Sequence, residues 1–212
     1  MKVIIVGGLA GSGKTTMILK LSKRFTDAGQ RIGVIVQETG DVDYDEGTLH
    51  EMGIKKKDIE SVCIPCSLDA DIINNIQALQ EEFRPDLVFI EAEETVLPVR
   101  IKADLQRMMM ESMQIAPMIT MVDAKEFPLE IPMLLRYARI QVEETDIICL
   151  NKVDMADNER TSRLKTMFKD LNSKAIIIEM NAKEGTGVSE LVDPLGRSEE
   201  HTSELQSRIT IS

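Results

Sequence analysis

Eight residues near the start of the chain have a spacing that can surround an anion. They read Gly8-Leu9-Ala10-Gly11-Ser12-Gly13-Lys14-Thr15 and fit the pattern G-x-x-x-x-G-K-[ST]. Glycines let successive backbone N–H groups turn towards phosphate oxygens, and a following helix presents its positive end to the same anion. We expect Lys14 to reach the β and γ phosphates of a nucleotide, and Thr15 to offer its hydroxyl to magnesium. The predicted phosphate site comprises Gly8, Gly11, Ser12, Gly13, Lys14, Thr15 and Thr16.

A second polar segment, Asn151-Lys152-Val153-Asp154, follows an apolar run and resembles the guanine-reading motif N-K-x-D of GTPases. Asp154 can accept hydrogen bonds from N1–H and the 2-amino group of guanine, two donors that adenine lacks at those positions. We expect Asn151 to brace the loop and the stem of Lys152 to pack on the base. After the next apolar run, Asn181-Ala182-Lys183 resembles the S-A-K loop, in which the N–H at the alanine position meets guanine O6. The predicted base site comprises Asn151, Lys152, Asp154, Ala182 and Lys183.

Two cysteines form a third candidate site, in the segment Cys63-Ile64-Pro65-Cys66. Two thiolates at this spacing can chelate a soft or borderline ion such as zinc, cobalt or nickel. A redox pair and an inert pair of small apolar side chains are the alternatives. A tetrahedral site needs further ligands, which Glu38, His50, a partner or a second copy of the chain could supply. Cys149 lies inside an apolar run, so we expect it to belong to the core.

Apolar runs alternate with amphipathic stretches along the chain, which predicts an α/β fold with a mostly parallel sheet between two helical layers. Each candidate nucleotide motif directly follows a predicted strand. The predicted strands are Val3–Val6, Ile32–Val36, Ile59–Ile64, Leu87–Ile90, Ile119–Val122, Ile147–Leu150 and Ala175–Glu179. The predicted helices are Thr15–Ala28, Asp69–Phe83, Val99–Met110, Met133–Glu143, Asn158–Leu171 and a last helix from Val188. The acidic segment 38–47 is predicted to be a loop.

Composition narrows the possible partners. The formal charge is -11, which argues against binding to nucleic acid, because such binding needs a basic face. No apolar run approaches the ~20 residues of a membrane-spanning helix. The three cysteines lack a secretory context, and we therefore expect a cytoplasmic protein with reduced thiols.

The last sixteen residues, 197–212, read RSEEHTSELQSRITIS. They resemble the translation of a common short-read sequencing adapter in a single frame. We expect this segment to be an artefact rather than native sequence, and we exclude it from the fold. The remaining residues, 1–196, are predicted to form one nucleotide-binding domain that is truncated at its C-terminal end.

Further segments resemble the CobW/HypB/UreG family of metallochaperone GTPases, within the SIMIBI class of P-loop proteins, over essentially residues 1–196. CobW-like members are the most similar. The segments that carry the resemblance, besides the nucleotide motifs, are Val34–Asp41, Ile90–Pro98, Met121–Ala124 and Gln141–Asp146. The family also places metal-binding cysteines where this chain has Cys63 and Cys66.

This resemblance implies a GTPase that binds GTP, GDP and magnesium, and that transfers a transition metal or metal cofactor to a client metalloprotein or cobalamin-dependent enzyme. It implies that Lys14, Thr15 and Glu91 take part in slow hydrolysis and that Glu38 or Asp41 senses magnesium or the γ-phosphate. It also implies a nucleotide-dependent homodimer. One departure is that Glu94 replaces the family's switch glycine. It keeps a backbone N–H but adds a carboxylate near an anion.

Three other functions fit parts of the sequence. The protein could gate cofactor loading into a client without itself carrying metal. It could be a regulatory module that hydrolyses no significant nucleotide, which the Glu94 departure favours and the Lys14-Thr15 pair opposes. A small-molecule kinase would fit the phosphate loop, but the guanine motifs weaken that interpretation.

Overall fold

The computed structural model describes residues 1–37, 44–58, 68–107 and 113–196. Its strands form one sheet in the order β3-β2-β4-β1-β6-β7-β8, and the short β5 pairs with the first residues of β1. Every pairing between these strands is parallel. The strands are β1 Lys2–Gly8, β2 Ile32–Val36, β3 Ile54–Asp58, β4 Leu87–Glu91, β5 Gln114–Ile115, β6 Ile119–Asp123, β7 Ile147–Asn151 and β8 Ile176–Met180.

Helices connect the strands and cover the sheet on both faces. They are α1 Lys14–Asp27, α2 Glu46–Glu51, α3 Leu68–Glu82, α4 Pro98–Arg107, α5 Arg136–Glu144, α6 Asn158–Leu171 and α7 Val192–Gly196. Short 3-10 turns occupy Ile131–Met133, Val153–Met155 and Val188–Leu191. Local chemistry sets several of these boundaries. Gly29, at φ 83°, follows the end of α1, and the Asp157 side chain caps α6 by accepting from the Arg160 N–H at 2.7 Å.

Alternate side chains of β1 belong to different parts of the core, because successive residues of a strand point to opposite faces. Ile4 and Val6 pack in the cluster that contains α1, whereas Val3 and Ile5 pack with α3 and α4. A third cluster lies between β6, β7, α5 and α6. Burial on both faces explains why the central strands are continuous apolar runs. The predicted three-layer α/β architecture is confirmed.

The strand after β2 differs from the sequence prediction. The structure places it at Ile54–Asp58, while the predicted strand Ile59–Ile64 lies outside the described residues. The β3 sequence, IKKKD, carries three lysines and has no apolar run. Within the described ranges, β3 pairs with β2 alone and lies at the end of the sheet. Lysine is well tolerated at such an edge, because one side of the strand lacks a neighbouring strand there.

Two helix boundaries also differ. The segment predicted to form a helix from Met133 begins with a 3-10 turn, Ile131–Met133, that contains Pro132, and α5 begins only at Arg136 because Leu134 and Leu135 are extended. The predicted acidic loop ends earlier than residue 47, since α2 begins at Glu46 and Asp45 caps it by accepting from the Thr48 N–H. No helix in the described part of the chain is long and apolar enough to span a bilayer.

Candidate functional site

The carboxyl ends of the central strands open onto a cleft of about 940 Å³. Parallel sheets collect polar loops at this edge, and ligands of open α/β folds bind there. The cleft brings together the three nucleotide motifs that lie far apart in the sequence. Its lining comprises Ala10, Gly11, Ser12, Gly13, Lys14, Thr15, Thr16, Glu91, Asn151, Lys152, Asp154, Met155, Asn181, Ala182, Lys183 and Glu184.

Two glycines of the phosphate loop are required by close contacts as well as by backbone angles. Gly8 has φ 133°, and a Cβ there would lie 2.3 Å from the Met121 carbonyl oxygen. Gly13 has φ 97°, and its Cβ would lie 2.3 Å from Nδ2 of Asn151. A side chain at either position would therefore be strained and would collide with a neighbouring strand, β6 at Gly8 and β7 at Gly13.

Lys14 begins α1 and is nearly buried at 5% exposure. Its Nζ donates to the carbonyl oxygens of Gly8 at 2.9 Å and Leu9 at 3.2 Å. The ammonium group therefore lies against the first residues of the loop, beside Ala10. This end of the cleft suits the terminal phosphate of a nucleotide.

Glu91 ends β4 and has 3% exposure. Its Oε1 accepts from the Thr15 hydroxyl at 2.8 Å, and its Oε2 accepts from the Tyr44 hydroxyl at 2.5 Å. Burial, and next the charge of Glu91, raise the pKa of Tyr44 well above its ordinary value. A hydroxyl beside a carboxylate offers the hard oxygen ligands that magnesium prefers, so Thr15 and Glu91 fit that ion. Sequence reasoning did not single out Tyr44.

Asn151 joins the phosphate loop to the predicted base site. It ends β7, is buried at 3% exposure, and donates from Nδ2 to the Ser12 carbonyl oxygen at 2.9 Å. Its Oδ1 accepts from the Ala182 N–H at 2.9 Å. One side chain thus holds two loops against each other, which is the bracing role that the sequence predicts for it.

The hydrogen bond between Ala182 and Asn151 differs from the contact that the sequence predicts for Ala182. The sequence predicts that its N–H meets guanine O6, whereas in the structure this N–H donates to Asn151. The loop folds tightly after β8, because the Asn181 N–H donates to the Thr186 carbonyl and the Gly185 N–H donates to the Asn181 carbonyl. This turn directs the Ala182 N–H towards β7.

Lys152 has a left-handed backbone conformation at φ 60°. Its Nζ donates to Oδ2 of Asp123 at 2.7 Å. Asp123 lies opposite Asn151 in the register of β6 and β7, and its Oδ1 accepts from the N–H groups of Lys125 and Glu126. The ion pair holds the lysine stem along the cleft. Asp154 is exposed in the following 3-10 turn and lines the cleft with its neighbours.

The segment that follows β4 contacts the phosphate loop directly. Oε2 of Glu94 accepts from the Ala10 N–H at 3.0 Å. Buried Gln141, on α5, donates from Nε2 to the carbonyl oxygens of Glu94 at 2.8 Å and Val96 at 3.0 Å. Gln141 lies in one of the segments that carry the family resemblance, and that was the only sequence signal for its role.

The candidate metal residues are placed only in part. Cys63, Cys66 and Glu38 lie outside the described residues. His50 is exposed on α2. Among the described residues, no three His, Cys, Asp or Glu side chains come together in a group that could hold a metal ion. Cys149 is fully buried in β7, in agreement with its predicted place in the core. Burial raises the pKa of its thiol well above the ordinary range.

The family model of the CobW/HypB/UreG nucleotide-binding domain matches residues 2–179. The chain belongs to this family. A curated relative, Zinc-regulated GTPase metalloprotein activator 1 of Schizosaccharomyces pombe, is 24% identical over 96% of this chain and 51% of its own length. The chain spans about half the length of the curated relatives it matches first.

Solved structures of the family share the fold. Hydrogenase maturation factor HypB from Archaeoglobus fulgidus has a TM-score of 0.65 and 23% identity, with 90% of this chain and 87% of that chain covered. HypB from Helicobacter pylori, solved in complex with nickel, has a TM-score of 0.67 and 20% identity, with 95% and 87% covered. These neighbours establish the same fold for this chain.

Proposed function

We propose that this protein is a GTP-binding, slowly GTP-hydrolysing metallochaperone that delivers a transition metal or metal cofactor to a client protein. The observation that carries the proposal is the convergence of the phosphate loop, Asn151–Asp154 and the 181–184 loop on one cleft. Asn151 ties these three parts together through Ser12 and Ala182. A base and a chain of phosphates bound in this cleft would contact both motif groups at once.

In the proposed site, Lys14 and the loop N–H groups bind the phosphates, and Thr15 with Glu91 would hold magnesium, which neutralises phosphate charge. Catalysis of this kind consists mainly of charge stabilisation and positioning of water. Glu38 or Asp41 is proposed to sense the γ-phosphate together with Glu91. We expect the intrinsic rate of hydrolysis to be slow and to be raised by a client or by a nucleotide-dependent homodimer.

Guanine selectivity is the first test. Asp154→Ala removes the carboxylate that can accept from both guanine donors, so GDP affinity should fall by at least about tenfold, while ADP affinity stays low. Calorimetric titration of the full chain with GDP and ADP measures both. Asp157→Ala is the matched control, because it removes an exposed carboxylate nearby that caps α6. Equal affinity for GDP and ADP in the unsubstituted chain would exclude a guanine site.

The metal cargo is proposed to bind Cys63 and Cys66, by the chemistry of paired thiolates. A relative named as a zinc-regulated metalloprotein activator and a HypB structure solved with nickel support such a cargo. Zinc, cobalt and nickel are titrated into the full chain with GDP, with a non-hydrolysable GTP analogue and without nucleotide. Metal affinity should change with the γ-phosphate and should be lost in Cys63→Ser/Cys66→Ser. Cys149 remains in both proteins as an internal control, since its thiol is fully buried.

A second candidate function is a nucleotide-dependent chaperone or regulatory module that gates a metalloenzyme or cobalamin-dependent client without carrying metal. The contact of Glu94 with the phosphate loop favours it, because a carboxylate there disfavours a γ-phosphate. The double cysteine variant separates the two candidates. Undiminished client activation and nucleotide binding without cysteine-dependent metal affinity would support the gating module. Cytoplasmic localisation, suggested by the cysteine usage, stays a prediction.

A further inference from the structure

The contact between Glu94 and Ala10 places a negative charge on the loop proposed to bind phosphate. Oε2 of Glu94 lies 3.0 Å from the Ala10 nitrogen, although 84 residues separate the two in sequence. Ala10 lines the nucleotide cleft. A carboxylate on an N–H of this loop makes the kind of hydrogen bond that a phosphate oxygen would make there.

The position of Glu94 along the cleft indicates which phosphate of a bound nucleotide it would face. The Lys14 ammonium contacts the Leu9 carbonyl, next to Ala10. Asn151, from the base motif, instead contacts Ser12 at the other part of the loop. In the proposed site, Ala10 would therefore lie towards the terminal phosphate, and the base would lie on the opposite side.

The fold holds this carboxylate in place from two directions. Gln141 donates to the main-chain carbonyls of Glu94 and Val96. A few residues later, Pro98 packs so closely on β1 that a Cβ on Gly7 would lie 2.5 Å from its Cγ. Tyr137 lies one helical turn before Gln141, and its pKa is raised by burial and then by the charge of Glu94. The backbone that carries Glu94 is thus anchored on α5 and β1.

We propose that Glu94 determines the choice between nucleoside di- and triphosphate by disfavouring the triphosphate. The inference rests on the proposed nucleotide site. A γ-phosphate near Ala10 would meet a like charge and would have to displace the carboxylate from the N–H. The β-phosphate of a diphosphate lies deeper among the glycines and leaves the contact intact. Loss of the γ-phosphate then lets Glu94 return to Ala10, so the side chain favours the diphosphate state.

The test compares the affinities of the full chain for GDP and for a non-hydrolysable GTP analogue, both with magnesium. Glu94→Gln removes the charge and keeps the shape, so affinity for the analogue should rise about tenfold, the size expected for like charges a few ångströms apart at a half-buried site. Affinity for GDP should change less than about twofold. Glu93→Gln is the matched control, because Glu93 is also half-buried and its carboxylate instead accepts from the Thr95 hydroxyl.

Glu94→Ala provides a second variant that should shift the ratio of the two affinities in the same direction. A ratio that is the same in the unsubstituted chain and in both Glu94 variants would overturn this inference and leave the nucleotide site standing. A shift of equal size in Glu93→Gln would also overturn it, since the effect would then be general charge. Failure of the unsubstituted chain to bind either nucleotide would instead contradict the proposed function itself.

Discussion

At the scale of single residues, Asn151 joins two loops of the candidate site through one side chain. It accepts from Ala182 and donates to Ser12, and the Gly13 backbone packs against its amide. Each contact involves a buried group, and none is local in sequence. Its removal should therefore affect stability and nucleotide affinity together.

Asn151→Ala leaves the Ser12 carbonyl and the Ala182 N–H without their side-chain partner. We expect the free energy of unfolding to fall by about 2–4 kcal/mol, because a buried polar group that loses its partner costs roughly 1–3 kcal/mol. Urea denaturation measures the change, and GDP affinity should fall in the same variant. Asn158→Ala, on an exposed surface of α6, should change stability by less than about 0.5 kcal/mol. Comparable losses in the two variants would contradict the bridging role.

At the scale of elements, α5 acts as the support of the segment 92–98. Gln141 is the contact point, and its own carbonyl accepts from the Thr120 hydroxyl on β6. The helix therefore connects β6, the neighbour of the central strand β1, to the segment that carries Glu94. A change on α5 should loosen that segment without touching the cleft lining.

Gln141→Leu keeps the size of the side chain but removes the donor to Glu94 and Val96. We expect faster amide hydrogen exchange in residues 92–98, and a loss of about 1–3 kcal/mol in stability, because two carbonyls lose a buried partner. Exchange measured by mass spectrometry locates the effect. Gln106→Leu, exposed on α4, is the control and should leave exchange in this segment unchanged. Unaltered protection in Gln141→Leu would show that packing of Pro98 alone holds the segment.

At the scale of the whole molecule, two buried protonated groups make the free energy of unfolding depend on pH in the alkaline range. Burial raises the pKa of the Cys149 thiol. Burial, and to a smaller extent the negative charge of Glu91, raises the pKa of the Tyr44 hydroxyl. The native state keeps both protons at pH values where the unfolded chain releases them. Stability from these groups is therefore complete below the unfolded pKa values and is lost as pH rises above them.

The free energy of unfolding should thus decrease from about pH 8.5 upwards, where an unfolded thiol begins to ionise, with a slope approaching 1.4 kcal/mol per pH unit. Tyr44 should add to the slope above about pH 10. Denaturation of the chain at a series of pH values measures the curve. Cys149→Ala should lower stability at neutral pH but flatten the curve between about pH 8.5 and 10. A slope identical to that of the unsubstituted chain would show that other groups cause it.

The parts of this protein whose chemistry is local can be located from the amino-acid sequence alone. The phosphate loop needs glycines, a lysine and a threonine at fixed spacing, so its eight residues identify it without any neighbour. Buried parallel strands need continuous apolar runs, which is why β1, β2, β4, β6 and β7 could be located closely. The lysine-rich β3 could not, because an edge strand carries no such run.

Which of these parts contact one another depends on the three-dimensional fold. The contact of Glu94 with Ala10 spans 84 residues, and that of Gln141 with Glu94 spans 47. Both depend on the strand order that places β4 and β6 on either side of β1. The hydrogen bond from the Ala182 N–H to Asn151 likewise depends on the pairing of β7 with β8. A sequence motif specifies the hydrogen-bonding groups of its own residues. The partner of each group depends on which distant segment the sheet places within hydrogen-bonding distance.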